Sequence, residues 1–256
     1  MKGELGILAC PLSLALCLVA LLTFAGGDAG AATTHVDGDW YMNDDTTLSN
    51  GTWVVNGSVY VEGCHLTLDG AELFLQSTSV YQLGVHVASD ARLTARNSEM
   101  WGEPYDIYLE VSGDTHLSNT SIHEMGLYTG SGGIRHEGGT LTLDHCDLDL
   151  AYYTIISNGD LTVRSCRFTN FTQNAIWWSS SSESMDRTLV IEDSVFVNTR
   201  SYFHGTGIEA VQGGPSGDES TVSITGCHFN GLSVAMSVGD FELNGHLLVE
   251  GNRVEN

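Results

Sequence analysis

Apolar and polar residues alternate along most of this chain, and the alternation is organised in one recurring phrase of eight residues. It reads Leu-Thr-Leu-Asp-His-Cys-Asp-Leu at 141–148 and Leu-Thr-Val-Arg-Ser-Cys-Arg-Phe at 161–168. It returns as Leu-Val-Ile-Glu-Asp-Ser-Val-Phe at 189–196 and Val-Ser-Ile-Thr-Gly-Cys-His-Phe at 222–229, with looser copies at 66–73, 93–100, 115–122 and 247–254. Positions one, three, six and eight are mostly apolar or small, whereas positions two, four, five and seven are mostly polar. That is strand alternation, a two-residue turn that resets the phase, then strand alternation again. The sixth position holds Ala71, Ser98, Thr120, Cys146, Cys166, Ser194, Cys227 and Asn252, spaced by about 26 residues from Ser98 onward.

A second phrase lies between the copies. It runs Val85-His86-Val87, Ile107-Tyr108-Leu109, Ile134-Arg135-His136, Ile155-Ile156-Ser157, Ile176-Trp177-Trp178, Ile208-Glu209-Ala210 and Met236-Ser237-Val238. Each period therefore carries three short strands and no helical stretch. One period cannot close a core alone, but stacked copies can. The pattern predicts an all-β chain wound as a single-stranded parallel β-solenoid. About eight coils at the ~4.8 Å strand spacing give a rod roughly 40 Å long.

Stacking the phrases in register sets neighbours. Arg164 falls between the carboxylates of Asp144 and Glu192, Asp147 beside Arg167, and Leu148, Phe168, Phe196 and Phe229 form an interior column. Cys146 and Cys166 become lateral neighbours. Parallel side chains on adjacent coils do not readily reach the ~90° torsion of a disulfide, so buried free thiols are expected. With no C-x₂₋₄-C pair, a Cys₄ metal site is the poorer reading.

The chain begins differently. Lys2 precedes an apolar run from Leu5 to Ala25, and Ala29-Gly30-Ala31 fits a small-residue cleavage site. Residues 1–31 read as a signal peptide, with an uncleaved anchor helix as the alternative, and the protein as secreted or at the cell surface. Residues 32–65 read as N-terminal capping strands and 66–256 as the repeats. The open C-terminal end at Asn256 reads as a truncation or as a surface that meets a further segment or partner. Thirty-two acidic residues against nine basic ones give a net charge of −23. Such a surface excludes nucleic acid, which needs clustered Lys and Arg, and argues against docking on anionic lipid.

The phrase Leu-Thr-Val-Arg-Ser-Cys-Arg-Phe, the strand starts Gly133-Ile134 and Gly207-Ile208 and the secretory leader resemble the right-handed parallel β-helix proteins of the pectate-lyase-like superfold, over roughly 52–256. The resemblance implies a fold but not one function, because this superfold carries lyases, hydrolases, adhesins and passive scaffolds. It implies a tight turn at the sixth position, often an asparagine ladder; only Asn252 has that residue type. It also implies that ligands lie along the outer side of the Gly-Ile strand. The outward row there reads His86, Tyr108, Arg135, Ile156, Trp177, Glu209 and Ser237, and a second row Ala88, Glu110, Glu137, Asn158, Ser179 and Val211.

Among these, Tyr108, Arg135, Trp177 and Glu209 are the candidate ligand-binding residues: the aromatics can stack on sugar rings and the charged groups can bond hydroxyls. The insertions 179–187, 197–206 and 212–220 would crowd around Trp177 and Glu209 as a cleft. Glu110, Arg135, Glu137 and Glu209 are weak catalytic candidates, echoing the acids and proton-abstracting base that the resemblance implies for polysaccharide lyases. A glycosidase needs two carboxylates at a set separation, and the Asp-Asp pair implied by the resemblance is missing. Asp37, Asp39, Asp44 and Asp45 could offer oxygen ligands to Ca²⁺, although no calcium-loop motif supports it. No other cofactor is expected. Asn50, Asn56, Asn119 and Asn170 head N-glycosylation triplets. The reading adopted is an exported repeat protein binding carbohydrate or another surface polymer through the exposed strand face. A polysaccharide lyase or glycoside hydrolase is the first alternative, and a passive envelope component the second.

Overall fold

The computed structural model describes residues 32–76, 83–103, 107–125, 133–180, 187–199, 205–211, 220–239 and 246–255. The leader read at 1–31 lies outside them. Among the described residues every element is a strand, and no helix is long and apolar enough to cross a membrane.

All strand pairings are parallel, and each joins a strand to its equivalent one coil away. Seventeen strands form one sheet (sheet A) and nine form another (sheet B). Sheet A has two limbs, corresponding to the two halves of the eight-residue phrase. The first limb runs Leu141, Leu161, Leu189, Val222 and Leu247 in direct register, and the second Leu148, Phe168, Phe196, Phe229 and Val254. The register read from the phrase therefore holds residue for residue. It also extends one coil earlier than the phrase copies: Thr46 pairs with Leu66 and Trp53 with Leu73 within the strand Thr46–Val55.

Between the limbs, the fifth phrase position turns the chain. Asn50, Gly70, Asn97, Asn119, His145, Ser165, Asp193, Gly226 and Gly251 all stand at positive φ, between 47° and 67°. The expected turn at the sixth position is thus corrected by one residue. Asn at 50, 97 and 119 and Gly at 70, 226 and 251 fit, because these types tolerate the left-handed region best.

The sixth residue has a different task. Its carbonyl accepts the seventh N–H of the following coil, as in Cys146 to Arg167 and Cys166 to Val195, both 2.8 Å. Its own N–H turns inward and donates to the sixth side chain of the next coil. Cys166 N–H meets Ser194 Oγ at 3.1 Å, Cys227 N–H meets Asn252 Oδ1 at 2.8 Å and Ala71 N–H meets Ser98 Oγ at 3.2 Å. The same side chains donate back two residues, Ser98 Oγ to Arg96 O at 2.7 Å and Ser194 Oγ to Glu192 O at 2.9 Å. A small residue with both a donor and an acceptor satisfies buried backbone groups that would otherwise be orphaned. That is the reason for Ser, Thr, Cys and Asn in this column.

The core is filled from every side. The first, third and eighth positions of the middle coils are fully buried, and the rings of Phe168, Phe196 and Phe229 stack at 4.8 and 4.9 Å. Sheet B adds Trp178, whose Nε1 donates to Gly159 O at 2.9 Å, and His136, which shares a 2.9 Å hydrogen bond with Ser157 Oγ. His136 is inward, as its strand position requires, and burial pushes its pKa down, so it sits neutral in the core. A Cβ on Gly159 would lie 2.6 Å from the His136 ring, so only glycine lets the two coils close there.

Sheet B corrects one register. Tyr108 pairs with Gly84 and Gly133, while Glu110 is the partner of His86 and Arg135. The outward row is therefore His86, Glu110, Arg135, Ile156, Trp177, Glu209 and Ser237. A slip of two residues keeps every side chain on its own face, so alternation alone cannot detect it.

Candidate functional site

The outward row of sheet B continues toward the N-terminal side through Tyr60 and Tyr41, each in register with the next. Strand alternation puts these side chains on the outside, and parallel stacking spaces them by about 4.8 Å. At that spacing planar side chains meet face to face. Tyr41 stacks on Tyr60 at 4.7 Å and 8°, and Tyr60 on His86 at 4.5 Å and 3°. Tyr108 meets the His86 ring edge-on at 5.2 Å.

His86 links the stack to charge. Its Nδ1 lies 2.8 Å from Glu110 Oε2 and its Nε2 3.1 Å from the Tyr108 hydroxyl. One hydrogen-bonded chain thus runs from carboxylate through imidazole to phenol. Burial, then Asp39, raises the Tyr60 pKa, and burial, then Glu110, raises that of Tyr108, so both phenols stay protonated. Tyr108 lies over Gly84, where a Cβ would come within 2.7 Å of its ring.

Arg135, Trp177 and Glu209 share the outward row as read from the sequence, and Tyr108 stands beside it. They are not gathered at one point. Arg135 and Glu209 are three strand spacings apart, about 14 Å. Exposed Arg135 bonds Glu137, just past the end of its strand, Nε to Oε1 at 2.9 Å, and half-buried Glu209 accepts from Asn174 Nδ2 at 2.6 Å. Each candidate carboxylate is engaged: Glu110 by His86, Glu137 by Arg135 and Glu209 by Asn174. The loops expected to build a cleft around Trp177 and Glu209 lie largely outside the described residues.

Residues 83–254 match the family described as right handed beta helix region. The chain belongs to the right-handed β-helix family. No curated protein and no solved structure matches it.

The remaining candidates have plain roles in the β-helix. Asp37 Oδ1 accepts from Asn56 Nδ2, Asp39 Oδ1 from Ser58 N–H and Asp45 Oδ1 from His65 N–H, all at 2.9 Å. Asp39 and Asp45 thus cap strand starts one coil away, and Asp37 holds the Asn56 side chain just past a strand end. Among the described residues, no group of three or more His, Cys, Asp or Glu is placed to hold a metal ion.

Cys64, Cys146, Cys166 and Cys227 are buried free thiols. The neighbouring Cys146 thiol and burial push Cys166 far up, and burial raises Cys64 and takes Cys227 to about 11. Protonated and enclosed, Cys64, Cys166 and Cys227 are poor nucleophiles, whereas the hydrogen bond with Cys166 draws the buried Cys146 thiol below its ordinary range. Of the glycosylation candidates, Asn50, Asn56 and Asn119 are exposed, whereas Asn170 is half-buried with its Nδ2 2.9 Å from Asp149 Oδ1.

Missed from the sequence was the Tyr41–Tyr60–His86 stack. The signal was present, since Trp40-Tyr41-Met42 and Val59-Tyr60-Val61 both alternate as sheet B strands do.

Proposed function

We propose that this β-helix is an exported surface or extracellular protein that binds carbohydrate or another surface polymer along the outer face of sheet B. One observation carries the reading: Tyr41, Tyr60, His86, Glu110 and Arg135 stand in one register row, each a single strand spacing from the next. A row of this kind offers hydroxyl, imidazole, carboxylate and guanidinium groups periodically, which suits an extended polymer better than a compact molecule. The two faces of Tyr60 are covered by Tyr41 and His86, so it meets a ligand with its hydroxyl and ring edge. Tyr41, 57% exposed, has no ring over its other face among the described residues.

The charge of −23 favours a neutral or cationic polymer over a uronate or sulfated one. The engaged state of Glu110, Glu137 and Glu209 weighs against a glycosidase pair. Export rests on the leader at 1–31.

The test is a glycan array probed with the purified protein, with reducing-end release monitored in parallel. Binding to neutral or amino-sugar polymers is expected, weakened about tenfold in Tyr41→Ala or Arg135→Ala, as for loss of an exposed contact or a charge-assisted hydrogen bond. Turnover would replace this reading with the enzymatic one, and no binding to any glycan would favour the envelope component.

A further inference from the structure

The other sheet carries a small polar groove on its outer face. The outward second-position residues of the first limb of sheet A stand in one column: Thr47, Thr67, Thr94, His116, Thr142 and Thr162. Across the strands that carry His65, Arg92–Arg96, Asp114–Ser118 and Thr140–Asp144, this face forms a groove of about 310 Å³. It is lined chiefly by His65, Arg92, Thr94, Asp114, His116 and Thr142. That volume lies at the small end of the range of ligand sites, about 300–1,000 Å³.

The polar groups are held in place chiefly by one another. Asp114 Oδ1 accepts from Thr140 N–H at 3.2 Å, and its Oδ2 lies 3.6 Å from an Arg92 terminal nitrogen. His65 has its backbone N–H fixed by Asp45 Oδ1 at 2.9 Å and its Nε2 at 2.9 Å from Thr94 Oγ1. The side chains of His116 and Thr142 make no hydrogen bond or ion pair among the described residues, although they sit side by side in the column.

The lining selects among ligand classes. Arg92 is balanced by Asp114, so the groove holds no surplus positive charge for a free anion. An apolar guest would leave the carboxylate, guanidinium, imidazoles and hydroxyls without partners, and no metal-holding group of His, Cys, Asp or Glu is present among the described residues. What remains is a carboxylate acceptor, a guanidinium donor, two imidazoles and two hydroxyls that both give and take. Vicinal hydroxyls need such a mixture, since each one donates and accepts.

We propose that this groove binds a single pyranose unit, with Asp114 accepting from and Arg92 donating to neighbouring ring hydroxyls. His116, Thr94 and Thr142 complete the ring contacts. The site lies on a different sheet from the polymer-binding face and stands or falls separately from it. No aromatic ring floors the groove, so the expected Kd is in the millimolar range, about 1–10 mM.

The probes are the methyl glycosides of glucose, mannose, galactose and N-acetylglucosamine, titrated into the full-length protein while histidine imidazole resonances are followed by NMR. His65→Gln, His86→Gln and His116→Gln assign the signals. At least one glycoside should shift His116 and His65 saturably. Thr142→Val and Asp114→Asn should each weaken that binding by about fivefold or more, the loss of one or two hydrogen bonds. Glu255→Gln, in a coil outside both surfaces, should leave it unchanged. The proposal is overturned if none of the four moves His116, if His86 alone responds, or if Thr142→Val binds as tightly as the parent.

Discussion

Two coils built from the same phrase live in opposite surroundings. In the coil at 189–196, Leu189, Ile191 and Phe196 are fully buried; in the coil at 247–254, their register equivalents Leu247, Val249 and Val254 are 51%, 46% and 58% exposed. The local sequence is equally apolar and equally strand-like in both. What differs is the number of neighbours among the described residues: Phe196 has Phe168 on one side and Phe229 on the other, whereas Val254 has Phe229. In a solenoid, a residue's energetic weight is therefore set by its position in the stack as much as by its type.

The largest test of that comparison is Phe196→Ala against Val254→Ala. Phe196 stacks within 5 Å of a ring on each side, and its loss should cost about 3–5 kcal/mol by removing buried surface and leaving a cavity. Val254→Ala should stay near ~0.5 kcal/mol, as for an exposed position. Hydrogen exchange resolved by coil is the suitable measurement, since a solenoid need not unfold in one step. Equal effects would show that burial is not shared between coils.

The sixth-position ladder gives the next contrast. Ser194→Ala leaves the N–H of buried Cys166 without an acceptor and should cost about 1–3 kcal/mol. Asn252→Ala removes the acceptor of Cys227 N–H in the last described coil, where Asn252 is only half-buried and water can substitute. Its cost should be nearer ~1 kcal/mol. Ser194→Cys should be tolerated, because Cys146, Cys166 and Cys227 hold the same position. Urea titration read by tryptophan fluorescence checks all three.

The sequence was most legible where side-chain type and period both carried information. The phrase fixed sheet A because a shift of one residue would turn Phe168 and Phe196 outward, and a whole coil's shift would break the column of small sixth residues. Sheet B was legible from Arg135 onward but not at Tyr108, because a two-residue slip keeps Tyr108 and Glu110 on the same face. The two-residue turn was legible from the paired polar residues at positions four and five, and the left-handed residue was placed one too late only by the family resemblance. The hydrogen-bonding task of the sixth residue becomes visible only when the coils are stacked. The sheet A groove was unreadable for a related reason: His65, Arg92, His116 and Thr142 span nearly eighty residues of sequence and meet only through register.

The turn itself separates the two coils more finely. Gly226 and Gly251 both stand at the fifth position, with φ of +66° and +67°. Alanine at either is strained by about 1 kcal/mol in the left-handed region. At 226, however, the new Cβ would lie 2.2 Å from Asp193 Oδ1, whereas at 251 nothing is closer than 3.8 Å. The Asp193 carboxylate can swing aside, so Gly226→Ala should exceed Gly251→Ala by only a few tenths of a kcal/mol, in the ~0.5 kcal/mol class of surface adjustments. Gly226→Asn should recover most of the loss, because Asn already occupies this position at 50, 97 and 119. Thermal melts of the three variants decide it.

Charge should matter least in the last described coil. The hydrogen bond from His228 at 3.1 Å, together with nearby Arg253, holds the Glu255 carboxyl below the usual carboxylate range. A carboxyl whose folded pKa is depressed stabilises the fold above its ordinary pKa, and that contribution disappears as pH falls through the lowered folded value. Because Glu255 is open to solvent and salt, the effect on overall stability should be small and should shrink further at high ionic strength. Stability curves of the parent and Glu255→Gln between roughly pH 2 and 7 should therefore run slightly apart at neutral pH and merge in acid. A large gap that survives molar salt would mean that this coil is shielded as the middle ones are, and the contrast between the two would no longer stand.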